Sequence, residues 1–390
     1  MARSPAGARR ARAGHLPQVD GLRALAALYV LFTHAVLVAM PGRDGSRPGW
    51  LVPGHFAVAV FIVVSGLCLS LPLVRTNGEL RGGALRFYVR RARRILPPYY
   101  ATLLLKLVLC WTALSAETGT FWDFTVPITA AGYVGNLLLA QDVVGFWQIS
   151  VPFWSIAVEF QIYLLFPLLL WCWRRYGAGR TVLSAVWLAY PAVSLTDALG
   201  KRGPAYFPGL SLQFIGFFTL GMAGAWLAFS EDATWVRARE RVPWGRVTGL
   251  GAATAVGLTY LAGRLADWLT SVLELPVALA TVGVLVVASR QGRTRLTRAL
   301  GLRPLAFVGT FSYSLYLVQA PLLEAEWQYG LRPLHLGRGA NLALLSGIGI
   351  ALLLGAAYLF HLAFERPFLA ARRTATTTRP QPSAVTARAA

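Results

Sequence analysis

Charge is scarce in this chain. Only 14% of its 390 residues are charged, against 56% hydrophobic, and the mean hydropathy is +0.54. A soluble globular domain carries about 25% charged and about 45–50% apolar residues. The shortfall excludes an ordinary soluble enzyme and points to a polytopic membrane protein. Acidic residues are fewest, 16 against 37 basic ones, which leaves a formal net charge of +21. Lysine is nearly absent: Lys106 and Lys201 are the only two, and every other basic residue is arginine. With abundant Ala and Gly, that is the composition of a high-GC genome such as that of an actinomycete. The three cysteines, Cys68, Cys110 and Cys172, lie in apolar runs at spacings that fit neither a disulfide framework nor a metal site. They read as small core residues, and no metal is expected. Internal repeats and stretches polar enough for a soluble domain are missing as well.

What is present is long apolar runs. A hydrocarbon core of about 30 Å is crossed by roughly 20 apolar residues of helix. Ten stretches qualify, at 22–40, 55–74, 98–115, 151–173, 181–195, 210–229, 247–261, 271–289, 305–323 and 341–364. An eleventh, 126–141, is weaker and broken by glycine, and is expected to be re-entrant or interfacial. Ten spans place both ends on one side, and arginine chooses the side. Of the 37 basic residues, 28 fall in the two tails and the loops that share their face, and seven fall opposite. Arg23 and Lys106 sit within or at the edge of spans. The positive-inside rule then puts both termini in the cytoplasm. This distribution accounts for most of the +21 without nucleic acid. The expected organisation is a basic cytoplasmic tail over 1–15, a membrane domain over 16–368 and a disordered cytoplasmic tail over 369–390. The basic-then-apolar start is read as a retained first helix: it is long, contains His34, and lacks a small-residue cleavage pattern.

Ionisable and polar groups inside spans are costly and therefore informative. His34 lies about 16 Å along the helix from Arg23 at 1.5 Å per residue, near or beyond mid-depth. Glu159, entering from the opposite side, reaches a similar level, as do Ser65 and Gln319. A histidine there can act as a general base near neutral pH, with a carboxylate to fix its tautomer; it can equally be an interhelical hydrogen-bonding residue. Ser65, beside Gly66, reads as a packing residue rather than a nucleophile. The run Phe87-Tyr-Val-Arg-Arg-Ala-Arg-Arg-Ile-Leu-Pro97 fits positive-inside topology. Its guanidiniums, Arg90, Arg91, Arg93 and Arg94, also form a forked phosphate cradle, suited to coenzyme A or to an anionic lipid head group.

In order, these pieces resemble the acyltransferase-3 family of membrane-bound O-acyltransferases. Asp20-Gly-Leu-Arg23, ten residues, then His34 is similar to its opening pattern. Val60-Phe-Ile-Val-Val-Ser65-Gly66 resembles its second-helix signature, and Arg91-Ala-Arg-Arg94-Ile-Leu-Pro97 its Arg-x-x-Arg-Ile-x-Pro element. Trp154-Ser155, Glu159, Gln161 and Tyr163 match the Trp-Ser-x-x-x-Glu-x-Gln-x-Tyr signature. Ser312-Tyr313-Ser-Leu-Tyr316-Leu317 and Glu365-Arg-Pro367 match two closing elements. The resemblance covers residues 16 to 368. It departs from the family where many members have Trp-His-x-Pro: this chain has Val318-Gln319-Ala-Pro321, so a histidine role there is lost or passes to Gln319. Phe160 follows Glu159 where a second acidic or polar residue is common. Nothing resembles the C-terminal hydrolase-like domain of larger members, so transfer is expected to be completed within the membrane domain.

The resemblance implies a plasma-membrane enzyme with no permanently bound cofactor. It would move a short acyl group from acyl-CoA to a hydroxyl of a sugar-containing acceptor. The acceptor is first expected to be a glycosylated macrolide or similar secondary metabolite, alternatively a cell-envelope polysaccharide or glycolipid. His34 and Glu159 would be catalytic. Arg23, Arg90, Arg91, Arg93 and Arg94 would hold the donor. Ser65, Trp154, Ser155, Gln161, Tyr163, Tyr313 and Gln319 would line the substrate site. The rival class is a secondary transporter, which also uses some ten spans and mid-depth charges. Such proteins often carry duplicated halves, and here the polar signatures do not recur.

Overall fold

A computed structural model of the chain describes residues 16–39, 54–114, 129–141, 149–150, 152–198, 211–262, 268–290 and 294–369. The expected tails, 1–15 and nearly all of 369–390, lie outside them. The described residues form helices and turns with no strand. In chain order these are α1 (Pro17–Ala39), α2 (Phe56–Val74), α3 (Gly83–Thr112), α4 (Ala130–Leu137), α5 (Phe153–Tyr176), α6 (Ala178–Ala198), α7 (Gln213–Phe229), α8 (Ala233–Arg241), α9 (Trp244–Ala262), α10 (Trp268–Ser289), α11 (Arg295–Leu300), α12 (Arg303–Thr310) and α13 (Ser312–Ala325). A π-helical turn, Glu326–Leu331, extends α13, and the last rod, α14 (Arg338–Leu369), contains two further π-turns.

Nine of the ten expected spans each overlap one helix, and the other, 305–323, is divided between α12 and α13. Among the described residues, five helices are long and apolar enough to cross a membrane: α1, α2, α3, α5 and α14. Two bent pairs raise the number to seven: α7 with α8, bent by 95°, and α12 with the α13 rod, bent by 73°. The described residues are thus those of an all-helical membrane protein. At the first bend Asp232 caps α8 by accepting the Thr234 amide at 2.8 Å. The α8 helix has no buried residue and carries Arg237, Arg239 and Arg241. At the second, Phe311 leaves helical geometry (φ −118°) between α12 and α13.

One difference from the sequence reading has a clear cause. The arginine run is not a loop. Residues 83–112 form one continuous helix that carries Pro97 and Pro98 inside it. A proline pair marks a helix start on sequence grounds, but the preceding Ala84–Leu96 stretch is rich in helix formers and extends α3 backwards. The weak run at 126–141 yields only α4, eight residues long, too short to cross. Tyr99 and Tyr100 of α3 donate to its Asn136 and Leu137 carbonyls, each at 2.8 Å.

Small residues set the helix spacing, as expected where lipid removes the hydrophobic drive between helices. A Cβ on Gly66 would strike the Phe218 carbonyl, and one on Gly221 would strike the Val63 carbonyl. This reciprocal pair seats α2 along α7. Gly21 likewise abuts the Leu300 carbonyl and Gly309 the Asp20 carbonyl, docking the start of α1 on α11 and α12. The glycine of the Asp-Gly-Leu-Arg element is therefore a packing requirement.

Candidate active site

The close approach of α2 to α7 fixes where Ser65 points. A serine within a helix commonly turns its hydroxyl onto the carbonyl one turn back; Ser65 instead donates to Glu159 Oε1 of α5 at 2.6 Å. Tyr163, one turn along α5, donates to the same oxygen at 2.5 Å. Two hydroxyls on one carboxylate oxygen make charge-assisted hydrogen bonds, the strong kind. Arg23 of α1 and Arg91 of α3 both lie within electrostatic range of Glu159 and Tyr163. A buried carboxylate needs hydrogen bonds and counter-charge together, and this one has both. Glu159 is only partly buried, so the group is not sealed into the core.

The α13 helix runs alongside α3 and orders the remaining polar groups into a column. Tyr313 donates to the Ile95 carbonyl at 3.1 Å. One turn on, the Tyr316 hydroxyl pairs with Ser155 at 2.7 Å. One further turn on, the Gln319 side chain lies near His34, and its amide donates to the Tyr316 carbonyl at 3.2 Å. At its far end Glu324 pairs with Lys106 of α3. Tyr313 to Glu324 spans as many residues as Ile95 to Lys106, which is the signature of parallel neighbours in step. Reading upward from the arginines, the column holds Arg91 and Arg23, then Glu159 with Ser65 and Tyr163, then Ser155 with Tyr316, then His34 with Gln319.

His34 and Glu159 share the column without touching: no hydrogen bond or ion pair joins them among the described residues. The four arginines are also separated. On a helix at 100° per residue they spread over nearly half the circumference. Arg90 and Arg93 are exposed, while Arg91 and Arg94 are half-buried. The Arg91 guanidinium lies 6.0 Å from the Phe87 ring centroid. Its buried Nε has no hydrogen-bond partner among the described residues. Gln161 serves the frame, donating to the Leu139 carbonyl at 3.1 Å. Trp154 stacks on His55, with centroids 4.9 Å apart and planes 9° from parallel.

Three buried polar clusters escaped the sequence reading. His55 Nδ1 pairs with Glu274. Lys106 pairs with Glu324. Glu365 accepts from Ser314 at 2.6 Å and pairs with His361 at 2.8 Å through the same oxygen. Lys106, Glu274 and Glu324 each carried the available signal, an ionisable residue inside an apolar run. Their partners are distant in sequence and unreadable from it. Among the described residues, no three histidine, cysteine or acidic side chains gather as metal ligands.

Comparison with known proteins identifies the family. The acyltransferase-3 family model, an acyltransferase domain, matches residues 16–362. The chain is 25% identical over 327 residues to the O-acetyltransferase OatA of Staphylococcus aureus, covering 79% of this chain and 51% of that protein. It is 29% identical over 202 residues to Nodulation protein 10 of Rhizobium leguminosarum bv. viciae, covering 47% and 53%. The chain thus spans about half the length of these curated relatives. No solved structure matches it.

Proposed function

The chain belongs to the acyltransferase-3 family, and from that premise we propose that it is a plasma-membrane O-acyltransferase. It carries a short acyl group from acyl-CoA to a hydroxyl of a sugar-bearing acceptor, with ten spans and both termini in the cytoplasm. The observation that carries this reading is the polar column, which begins at arginines, passes a carboxylate held by Ser65 and Tyr163, and continues to His34. Arg90, Arg91, Arg93, Arg94 and Arg23 meet the CoA phosphates and the entering thioester. Because the four helical arginines diverge, Arg91 and Arg94 point the donor inward and Arg90 and Arg93 meet it at the surface. Tyr313, Tyr316, Ser155 and Gln319 offer hydroxyls and an amide along the path. His34 takes the proton of the acceptor hydroxyl, the oxygen attacks the thioester carbonyl, the C–S bond breaks, and CoA leaves as the thiol after protonation. Gln319 orients His34, the part that a neighbouring carboxylate plays in other dyads, while Glu159 holds the charge balance below it. A glycosylated macrolide or related secondary metabolite is the first acceptor to test, with envelope polysaccharide second.

Membranes containing the wild-type chain or the His34→Ala variant at matched amounts, given acetyl-CoA or propionyl-CoA and mixed macrolide glycosides, test this directly. Mass gain of the acceptor with stoichiometric CoA release, absent from the variant, is the expected result. Transfer retained in His34→Ala removes that residue from its role. CoA release with neither macrolide nor polysaccharide acceptor mass gain removes the acceptor class. No CoA release with any acceptor overturns the acyl-CoA reading in favour of transport.

A further inference from the structure

Away from the column, α5 carries a regular stripe near its end. Pro167, Leu170, Trp171, Arg174 and Arg175 recur at intervals of three and four, which puts them on one side of the helix. Trp173 takes the opposite side, buried against Trp226 with ring centroids 4.8 Å apart. The stripe changes character along its length: it begins apolar at Pro167 and Leu170, reaches the exposed Trp171, and ends in two exposed guanidiniums in the last turn. The turn between α2 and α3 folds against it. Gly78, buried and at φ +81°, packs on the Arg174 stem, and a Cβ there would come within 3.3 Å of its Cγ. With Leu80, these residues line an open cleft of about 440 Å³. Arg174 pairs with Glu79 at 3.1 Å. Arg175 has no acidic partner among the described residues, and its guanidinium carbon lies 5.5 Å from the Tyr176 ring centroid. Trp171 meets Tyr176 edge to face at 5.7 Å. Two arginines against one glutamate leave one positive charge. Basic residues in a last turn complement the helix dipole anywhere; a walled cleft joining them to an apolar strip is more than that role requires.

We propose that this cleft binds an anionic glycerophospholipid from the leaflet at that face. The phosphodiester accepts from Arg175 and Arg174, the Trp171 ring lies at head-group depth, and an acyl chain runs down the apolar strip past Leu170 and Pro167. Arginine forks suit phosphate oxygens, tryptophan favours the head-group level, and basic pockets between membrane helices hold acidic lipid head groups. The single net charge matches a lipid with one negative charge, such as phosphatidylglycerol. A soluble phosphate would use the guanidiniums and leave the apolar strip empty, so the lipid is the better fit. The site stands apart from the acyl-transfer reading and does not depend on it.

Native mass spectrometry of the purified full chain in detergent, titrated with dioleoyl phosphatidylglycerol or dioleoyl phosphatidylcholine, tests this. The wild type should bind the anionic lipid about tenfold more tightly than the zwitterionic one. Arg174→Gln combined with Arg175→Gln should reduce that preference to less than about twofold, whereas Arg237→Gln, which removes an exposed arginine from α8, should leave it unchanged. Glu79→Gln, which frees Arg174, should tighten phosphatidylglycerol binding about two- to fivefold. Equal wild-type binding of the two lipids overturns the site. So does a preference that survives the double variant, or one that Arg237→Gln reduces as much, which marks diffuse surface charge. Should the double variant lower the Tm, Glu79→Gln decides: tighter binding supports the site, and unchanged or weaker binding overturns it. Displacement of the lipid by equimolar glycerol phosphate or coenzyme A would assign the cleft to a soluble anion and overturn the lipid.

Discussion

A carboxylate inside an apolar span needs hydrogen-bond donors whatever its task, because leaving a buried charge unpaired costs several kcal/mol. The sequence announces Glu159, Ser65 and His34 as polar groups at similar depth, and so invites a His34–Glu159 pair. The structure pairs Glu159 with Ser65 and Tyr163 and sets Gln319, not Glu159, near His34. Depth is legible because it follows from counting residues along one helix. Partnership is not, because it depends on the rotation of separate helices about their axes. A Glu159→Gln variant keeps the shape and removes the charge, and it should lower transfer about 10²-fold or more with unchanged folding. Tyr163→Phe, which leaves Ser65 on the carboxylate, should cost less, about tenfold. CoA-release rates of the three proteins at matched amounts check both. The Lys106–Glu324 pair offers a stability counterpart. Lys106→Met alone removes the cation from a buried carboxylate and should cost about 3–5 kcal/mol, whereas Lys106→Met with Glu324→Leu should recover most of that loss. Thermal unfolding in detergent, with and without the second change, decides it.

Among the elements, helices in apolar runs were readable and their ends were not. The α5 helix stops at Gly177, whose φ of +88° only glycine adopts without strain, four residues beyond the expected end at 173. The start of α3 was not readable either, since Pro97 and Pro98 signal a beginning that the run before them overrides. The consequence is functional: four arginines expected as one flexible cradle sit at fixed angles on a helix, with Arg91 turned towards the column. The glycine seams were invisible for a different reason, because a Gly66 that packs on Phe218 reads the same as a Gly66 that merely bends a helix. Gly66→Val places methyl groups against the Phe218 backbone carbonyl, which no rotamer change relieves. It should separate α2 from α7, lower the Tm, and reduce activity through displacement of Ser65. Gly355→Ala, at a site where a Cβ meets open space, should leave Tm and rates unchanged. Parallel thermal unfolding and CoA-release assays compare the two.

For the molecule as a whole, sidedness follows from arginine distribution. Moving a guanidinium through the hydrocarbon core costs at least about 2.5–3.5 kcal/mol on insertion scales, and the 28 basic residues that the ten-span proposal gathers on one face would multiply that cost against the inverted orientation. The structure supplies test positions in described turns. On the ten-span proposal Asn77, in the turn between α2 and α3, and Ala178, just after Gly177, fall on the arginine-rich face, and Leu336, before α14, falls on the other. All three side chains are at least partly exposed. In a background with Cys68, Cys110 and Cys172 changed to alanine, Asn77→Cys and Ala178→Cys should react with a membrane-impermeant maleimide only after the cells are opened. Leu336→Cys should react in intact cells. Ten spans require Ala178 and Leu336 to lie on opposite sides, five spans apart, so labelling of both from the same side would mean that one of α6, α7, α9, α10 or the α12–α13 pair does not cross. His55 and Glu274 tie the openings of α2 and α10 to one face, so a miscount located between those helices would also break that pair.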